Sequence, residues 1–216
     1  MKHLIAPSIL TADFAKLEKV MHMLNSSEAD YIHIDVMDGV FVPNITFGFQ
    51  LIRSIKKLAE KPLDVHLMIV QPERYFKEFR EAGADLICFH YEASVHLHRS
   101  IQIVRETGAK VGVAINPHTS VDLLEDVLPD LDMALIMTVN PGYGGQKFIE
   151  NSYSKILKLK KMISVRHLNT LIEVDGGVDI TNASKLVSSG VDILVAGNAV
   201  FSANDPQAAI RSLKNA

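Results

Sequence analysis

The chain has 216 residues, 48% of them hydrophobic and only 22% charged, with a formal net charge of -3. That size and composition suit one large folded domain or two small ones and exclude a disordered chain. The acidic balance, with no Lys/Arg-rich run, excludes an electrostatic nucleic-acid binder. No apolar stretch reaches the ~20 residues that span a bilayer, and the N-terminus lacks a long apolar segment, so no membrane partner and a cytoplasmic location are expected. The single cysteine, Cys88, lies in an apolar run. It is expected to be a buried, inert thiol with no disulfide framework around it.

Strand-like runs alternate with amphipathic segments along the whole chain. The first strand is expected over Leu4 to Leu10, with Thr11-Ala12-Asp13 opening a helix that ends near Asn25. The second strand, in Tyr31-Ile32-His33-Ile34-Asp35-Val36-Met37, alternates strictly. His33, Asp35 and Met37 therefore share one face, and Ile32, Ile34 and Val36 the other. Phe47-Gly48-Phe49 leads into a helix ending near Glu60. Strand three is Leu63 to Ile69, and Pro72-Glu73 starts its helix. Strands four to eight are read at Leu86 to His90, Val111 to Ile115, Ala134 to Val139, Leu171 to Val174 and Ile193 to Ala196. A helix is expected after each, the last opening near Asp205-Pro206, where proline suits a first turn. At Gly83, Gly108 and Gly190 a glycine closes a helix just before a strand, the position where a left-handed backbone is needed.

Eight βα units imply parallel strands with helical crossovers, and eight is the number that closes a barrel. Polar residues at the C-terminal ends of many strands favour that barrel over an open doubly wound sheet, which binds ligands at one switch point. No linker divides the chain, so one (β/α)8 TIM-barrel domain spanning residues 1–216 is expected.

Barrels of this kind place their chemistry at the C-terminal strand ends. Those ends carry Ser8; His33, Asp35 and Met37; His66 and Met68; His90; Asn116; Met137; Asp175; and Gly197-Asn198. A histidine and a carboxylate facing inward are costly unless paired. His33, Asp35, His66 and Asp175 can converge on one divalent ion, and their mix of imidazole and carboxylate suits Zn2+, Fe2+, Mn2+ or Co2+. The plain alternative is a buried His33–Asp35 hydrogen bond with no ion. Asp64 and Glu173 lie one step deeper on the same faces, either supporting the ligands or forming core ion pairs. Met37, Met68 and Met137 either fill the core or line part of a site.

Glycine-rich loops follow the last three strands: Gly142-Tyr143-Gly144-Gly145, Gly176-Gly177 and Gly197-Asn198. Glycine lets backbone N–H groups approach an anion, and this quadrant of a barrel commonly holds phosphate. Lys147 is the one cation in these loops, so phosphate is expected to rest mainly on backbone dipoles. The two constellations together point to a phosphorylated small molecule with its reacting end at a metal. Asp35 and Asp175, from strands far apart on the ring, would flank it and invert one carbon by proton removal on one face and return on the other.

Taken as an ordered set, several segments closely resemble the ribulose-phosphate 3-epimerase family. They are Ala6-Pro7-Ser8-Ile9-Leu10, His33 through Gly39, Phe41-Val42-Pro43-Asn44, Asp64-Val65-His66-Leu67-Met68, Met137 through Gly142, Gly144 through Phe148, Glu173 through Gly177 and Ala196-Gly197. The resemblance covers essentially the whole chain. It implies a TIM barrel of the ribulose-phosphate-binding type that interconverts D-ribulose 5-phosphate and D-xylulose 5-phosphate at C3, in the pentose phosphate pathway. It also implies a metal on His33, Asp35, His66 and Asp175, with Asp35 and Asp175 as acid/base pair. Ser8 and His66 would bind sugar oxygens, Met37, Met68 and Met137 would flank the enediolate, and the three glycine loops would hold phosphate. Tyr143 stands where the family commonly has Phe, and Asn198 where it commonly has Ser. The expected partner is a small phosphorylated ketose, and the expected assembly a homo-oligomer. A hexulose 6-phosphate such as D-allulose 6-phosphate is the alternative substrate. A lyase of the same barrel type would carry a strand-end lysine, and none is present. A non-catalytic binder would lack one of the four ligands.

Overall fold

The computed structural model describes residues 3–216; residues 1 and 2, at the start of the expected 1–216 unit, lie outside the described residues. Its eight strands are β1 (Leu4–Pro7), β2 (Ile32–Met37), β3 (Leu63–Met68), β4 (Leu86–His90), β5 (Lys110–Ile115), β6 (Met133–Met137), β7 (Leu171–Asp175) and β8 (Ile193–Ala196). From β2 to β8 each strand pairs in parallel with the next, and β8 pairs with β1. The remaining seam, between β1 and β2, is joined by a parallel Ser8–His33 bridge. The Ile5 carbonyl adds bonds there, accepting from the Asp30 and Tyr31 amides at 2.8 and 3.3 Å. The expected TIM barrel is what forms.

The pleat sorts the side chains as the alternation requires. Ile32, Ile34 and Val36 join the large apolar layer between strands and helices. Inside the ring, Ala6, Leu86, Cys88, Ala114, Met133, Leu135 and Met137 form a second, smaller core. Cys88 is fully buried there, and burial together with the nearby Asp64 and Glu173 pushes its thiol pKa well up, as befits an inert cysteine.

The helices are α1 (Leu17–Ser26), α2 (Phe49–Leu58), α3 (Phe76–Ala82), α4 (Leu97–Glu106), α5 (Ser152–Val165), α6 (Ala183–Ser188), α7 (Asn198–Phe201) and α8 (Pro206–Lys214). Two expectations change. The first strand stops at Pro7, and two single turns, Ile9–Thr11 and Phe14–Lys16, precede α1. Ser8 and Asp13 each turn a side-chain oxygen onto a backbone N–H two residues ahead, at 3.3 and 3.1 Å, which favours a tight turn over strand or helix. After β5 no α-helix follows. Two 3-10 turns, Val121–Leu124 and Leu128–Asp130, make the crossover, because Pro129 bars a helix from continuing through it. Gly83, Gly108 and Gly190 have φ of 119°, 80° and 108°, the left-handed conformation expected of them.

The bottom of the barrel carries a repeated staple. Asp30, Asp85, Asp132 and Asp192 stand just before β2, β4, β6 and β8. Each side chain accepts the first amides of the preceding strand: Ile5 at 2.7 Å, and Leu63, Val111 and Ile172 at 2.9 Å each. Each Asp amide donates back to the carbonyl of that same residue. The pair of bonds satisfies groups that a strand start would otherwise leave open. Lys214, Lys56 and Lys160 add ion pairs to Asp30, Asp85 and Asp192.

Replacing Asp85 with Ala is expected to cost about 1–3 kcal/mol, because the Leu63 amide is left unpaired. Asp85→Asn keeps an oxygen acceptor for the Leu63 amide and loses only the partly exposed ion pairs to Lys56 and Arg80, so about 1 kcal/mol or less is expected. Urea unfolding of the two variants checks the order.

Candidate active site

Strand register brings the polar residues to one height. Asp35 pairs with His66, His33 with Asp64, Met37 with Met68, and Met137 with Asp175. Asp35 is the meeting point. Its Oδ1 lies 3.3 Å from His33 Nε2 and 3.1 Å from His66 Nδ1, and its Oδ2 accepts the Ser8 hydroxyl at 2.6 Å. His66 Nδ1 lies 3.8 Å from Asp175 Oδ2. One donor atom from each of His33, Asp35, His66 and Asp175 falls within 4.8 Å of the others, so the cluster can hold a metal ion. His33 Nε2 is buried and makes no hydrogen bond despite its carboxylate neighbour. A buried nitrogen in that state is costly, and a cation among these four donors removes the cost.

Behind His33, Asp64 holds Nδ1 at 2.5 Å and Glu173 approaches it at 3.5 Å. Burial opposes a charge on His33, yet the Asp64 and Asp35 carboxylates outweigh it and push its pKa well above that of an ordinary imidazole. Burial, then the Asp64 charge, pushes the Glu173 carboxyl well above the usual carboxylate range. Asp64 and Glu173 thus back the ligand cluster.

The two candidate acid/base groups are driven apart. Burial works against ionisation of Asp35, but His33 and His66 beside it hold its pKa below the usual carboxylate range. Burial and the Asp35 charge push Asp175 up to about 6. Asp35 is then ionised across the working range, while Asp175 gives up its proton only as pH rises through about 6, so the pair can divide base and acid roles.

Above this floor is a cavity of about 660 Å³ lined by Ser8, Asp35, Met37, Met68, Met137 and Asp175 at one end, and by the three glycine loops at the other. His33 and His66 do not line it; both are fully buried beneath. Gly176 needs to be glycine: its φ is 114°, and a Cβ would meet Val139 Cγ2 at 2.3 Å. Gly142, Tyr143, Gly144, Gly145, Gly177, Gly197 and Asn198 complete that end. The Asn198 side-chain amide oxygen accepts the Ser202 hydroxyl at 2.9 Å. The Tyr143 hydroxyl donates to the Pro43 carbonyl at 2.6 Å, and Asn44 donates to the Gly142 carbonyl at 3.0 Å. Those bonds clasp the loop after β6 to the loop after β2.

Sequence reasoning missed several residues. Lys185, from α6, lines the cavity beside Lys147, with its amine 3.7 Å from the Tyr153 ring centre and 3.4 Å from Glu150. No loop motif pointed to it, because a helix brings it in. Asn182 holds the Gly177 carbonyl at 2.8 Å. Asp38 accepts the amides of Val40, Phe41 and Val70, each at 2.8 Å, and so ties the loops after β2 and β3 together. An Asp-Gly pair directly after a strand was the available signal. His90 was read as a strand end only, yet its Nε2 lies 2.9 Å from that of His66, and its Nδ1 is 3.2 Å from Glu92.

The model of the ribulose-phosphate 3 epimerase family matches residues 4–201. The ribulose-phosphate 3-epimerase of Bacillus subtilis is 49% identical over 211 residues, 97% of each chain. That of Synechocystis is 49% identical over 213 residues, covering 98% of this chain and 93% of the relative. Among solved structures, 3-hexulose-6-phosphate synthase from Salmonella typhimurium superposes with a TM-score of 0.72 over 100% of this chain and 97% of the other. At 22% identity it shares the fold alone.

Asp38→Ala is expected to speed amide exchange at Val40, Phe41 and Val70 at least tenfold, about 1.4 kcal/mol of lost local protection. Hydrogen exchange with mass spectrometry, compared against amides at the far end of the barrel, checks it.

Proposed function

The chain belongs to the ribulose-phosphate 3-epimerase family, a family of isomerases, and we propose that it interconverts D-ribulose 5-phosphate and D-xylulose 5-phosphate by inversion at C3. One observation carries the reading. Four donor atoms, from His33, Asp35, His66 and Asp175, converge at one end of a cavity whose other end is walled by glycine loops. In this reading His33, Asp35, His66 and Asp175 hold one divalent ion, Zn2+, Fe2+, Mn2+ or Co2+. When bound, it supplies positive charge that stabilises negative oxygen as a proton leaves the neighbouring carbon.

The protein's own groups do the rest. Asp35, kept ionised by the His33 imidazole beside it, takes the C3 proton on one face. Asp175, with its pKa up at about 6, returns a proton to the opposite face, and the two exchange roles in the reverse direction. Ser8, donating to Asp35 Oδ2, aims that carboxylate and meets the sugar oxygens, whereas His66, fully buried beneath the cavity, acts only on the ligand cluster. Met37, Met68 and Met137, each at most 3% exposed, keep water from the enediolate with polarisable sulfur. Backbone N–H groups of the Gly142–Gly145, Gly176-Gly177 and Gly197-Asn198 segments take the phosphate, with Lys147 and Lys185 adding charge at the rim. The Asn198 amide N–H serves where a hydroxyl is common in the family. The Tyr143 hydroxyl latches the loop over bound substrate. Residues 1–216 act as one domain, within the pentose phosphate pathway, in the cytoplasm and as a homo-oligomer. No observation favours a hexulose 6-phosphate instead.

Turnover in D2O is expected to place deuterium at C3 and nowhere else, read by NMR; turnover without label at C3 overturns the enediolate route. Asp175→Asn is expected to lower kcat by roughly 10²–10⁴-fold while the fold persists. Near-normal kcat in that variant would remove Asp175 from proton transfer.

A further inference from the structure

We propose that His90 and Glu92 are positioning residues that hold the His66 proton on Nε2 and so keep Nδ1 bare toward the ligand cluster. The proposal rests on the reading of His66 as a metal ligand.

The two imidazoles meet tip to tip. Their Nε2 atoms are 2.9 Å apart while the ring centres are 5.0 Å apart, and the planes differ by 25°. The nitrogens therefore lie between the rings, and a contact of this kind needs one proton in it. Two lone pairs, or two N–H groups, would repel.

Glu92 decides which ring donates. Its Oε1 accepts the Asn116 amide at 2.8 Å and the Thr119 hydroxyl. Its Oε2 faces His90 Nδ1 at 3.2 Å. A carboxylate accepts only, so His90 carries its hydrogen on Nδ1 and offers a lone pair at Nε2. His66 must then donate from Nε2. Its Nδ1 lone pair is left facing Asp35 Oδ1 at 3.1 Å and Asp175 Oδ2 at 3.8 Å, an arrangement that a cation between them reconciles. Ligating imidazoles are generally oriented by a hydrogen bond from the other nitrogen.

The device is sealed from the substrate. His90 and His66 are fully buried, Phe41 packs on the His90 ring at 4.7 Å, and neither His90 nor Glu92 lines the cavity. Their effect on the reaction has to pass through His66.

Glu92→Gln tests the proposal with almost no change in shape. The Asn116 amide and Thr119 hydroxyl hold the Gln oxygen, which leaves its NH2 facing His90 Nδ1. The hydrogen-bond order then reverses, and the His66 proton moves to Nδ1. In the metal-stripped full-length protein, 15N NMR of the imidazoles is expected to report Nε2–H at His66 in the wild type and Nδ1–H in Glu92→Gln. Co2+ titration, followed by its visible absorption, is expected to show affinity lowered roughly 10–100-fold. Glu92→Asp keeps an acceptor and is expected to recover affinity toward wild type. Phe41→Leu disturbs the packing on His90 without reversing the bonds, and is expected to keep both tautomer and affinity.

His66 retaining Nε2–H in Glu92→Gln overturns the proposal, as does Phe41→Leu losing as much Co2+ affinity as Glu92→Gln. Wild-type protein that takes up no Co2+ overturns the metal reading itself, and the NMR comparison still decides the tautomer.

Discussion

The Asp35 carboxylate is the point on which the upper half of the barrel depends. One oxygen faces the imidazoles of His33 and His66, and the other takes the Ser8 hydroxyl. Those partners come from the turn after β1, from β2 and from β3, and Ser8 pairs with His33 across the seam that the eight-strand ladder leaves loose. The contacts that close the ring there are therefore also contacts of the site. A buried carboxylate without such partners would cost several kcal/mol (~) after relaxation of its surroundings. Thr46 secures the same strand from outside. Its hydroxyl donates to the Asp35 carbonyl at 2.6 Å and accepts the Met37 amide at 3.0 Å.

The two ends of the barrel are built on different principles. At the bottom, Asp30, Asp85, Asp132 and Asp192 staple strand starts with paired backbone bonds, and lysines on helices neutralise three of them. Their carboxylates are spent on structure. At the top, Asp35 and Asp175 stand among imidazoles with their proton affinities driven apart, and Asp64 and Glu173 back them from below. Asp38 belongs to the structural set although it sits at the functional end, because all its bonds go to loop amides. The stapled bottom contrasts with a top that carries an unpaired His33 nitrogen and a left-handed position that only Gly176 can fill.

Much of this was legible in the chain. β4 and β8 fall on the residues expected of them, and the alternation in β2 assigned each side chain to its face. The ligand-type residues stood out because charged and imidazole groups are rare on inward strand positions. The motifs also carried the resemblance to the family that the comparisons show. The misses have local causes. Ser8 and Asp13 bend the chain into single turns that apolar spacing alone reads as strand or helix. Pro129 breaks up the crossover after β5. Lys185 reaches the cavity from a helix, and Glu92 reaches it only through His90 and His66, so neither sits in a pattern of its own.

The sequence by itself determined the strand order, the inward and outward faces, the ligand types and the glycines that let loops pack closely. These follow from periodicity and backbone sterics, which are local properties of the chain. The tertiary structure alone decided that Asp35 lies opposite His66, that Asp35 is ionised while Asp175 holds its proton to about pH 6, and which nitrogen of His66 is turned to the cluster. Those depend on burial and on distances of a few ångströms between groups far apart in the chain. Electrostatic energy varies steeply with both, and the order of residues records neither.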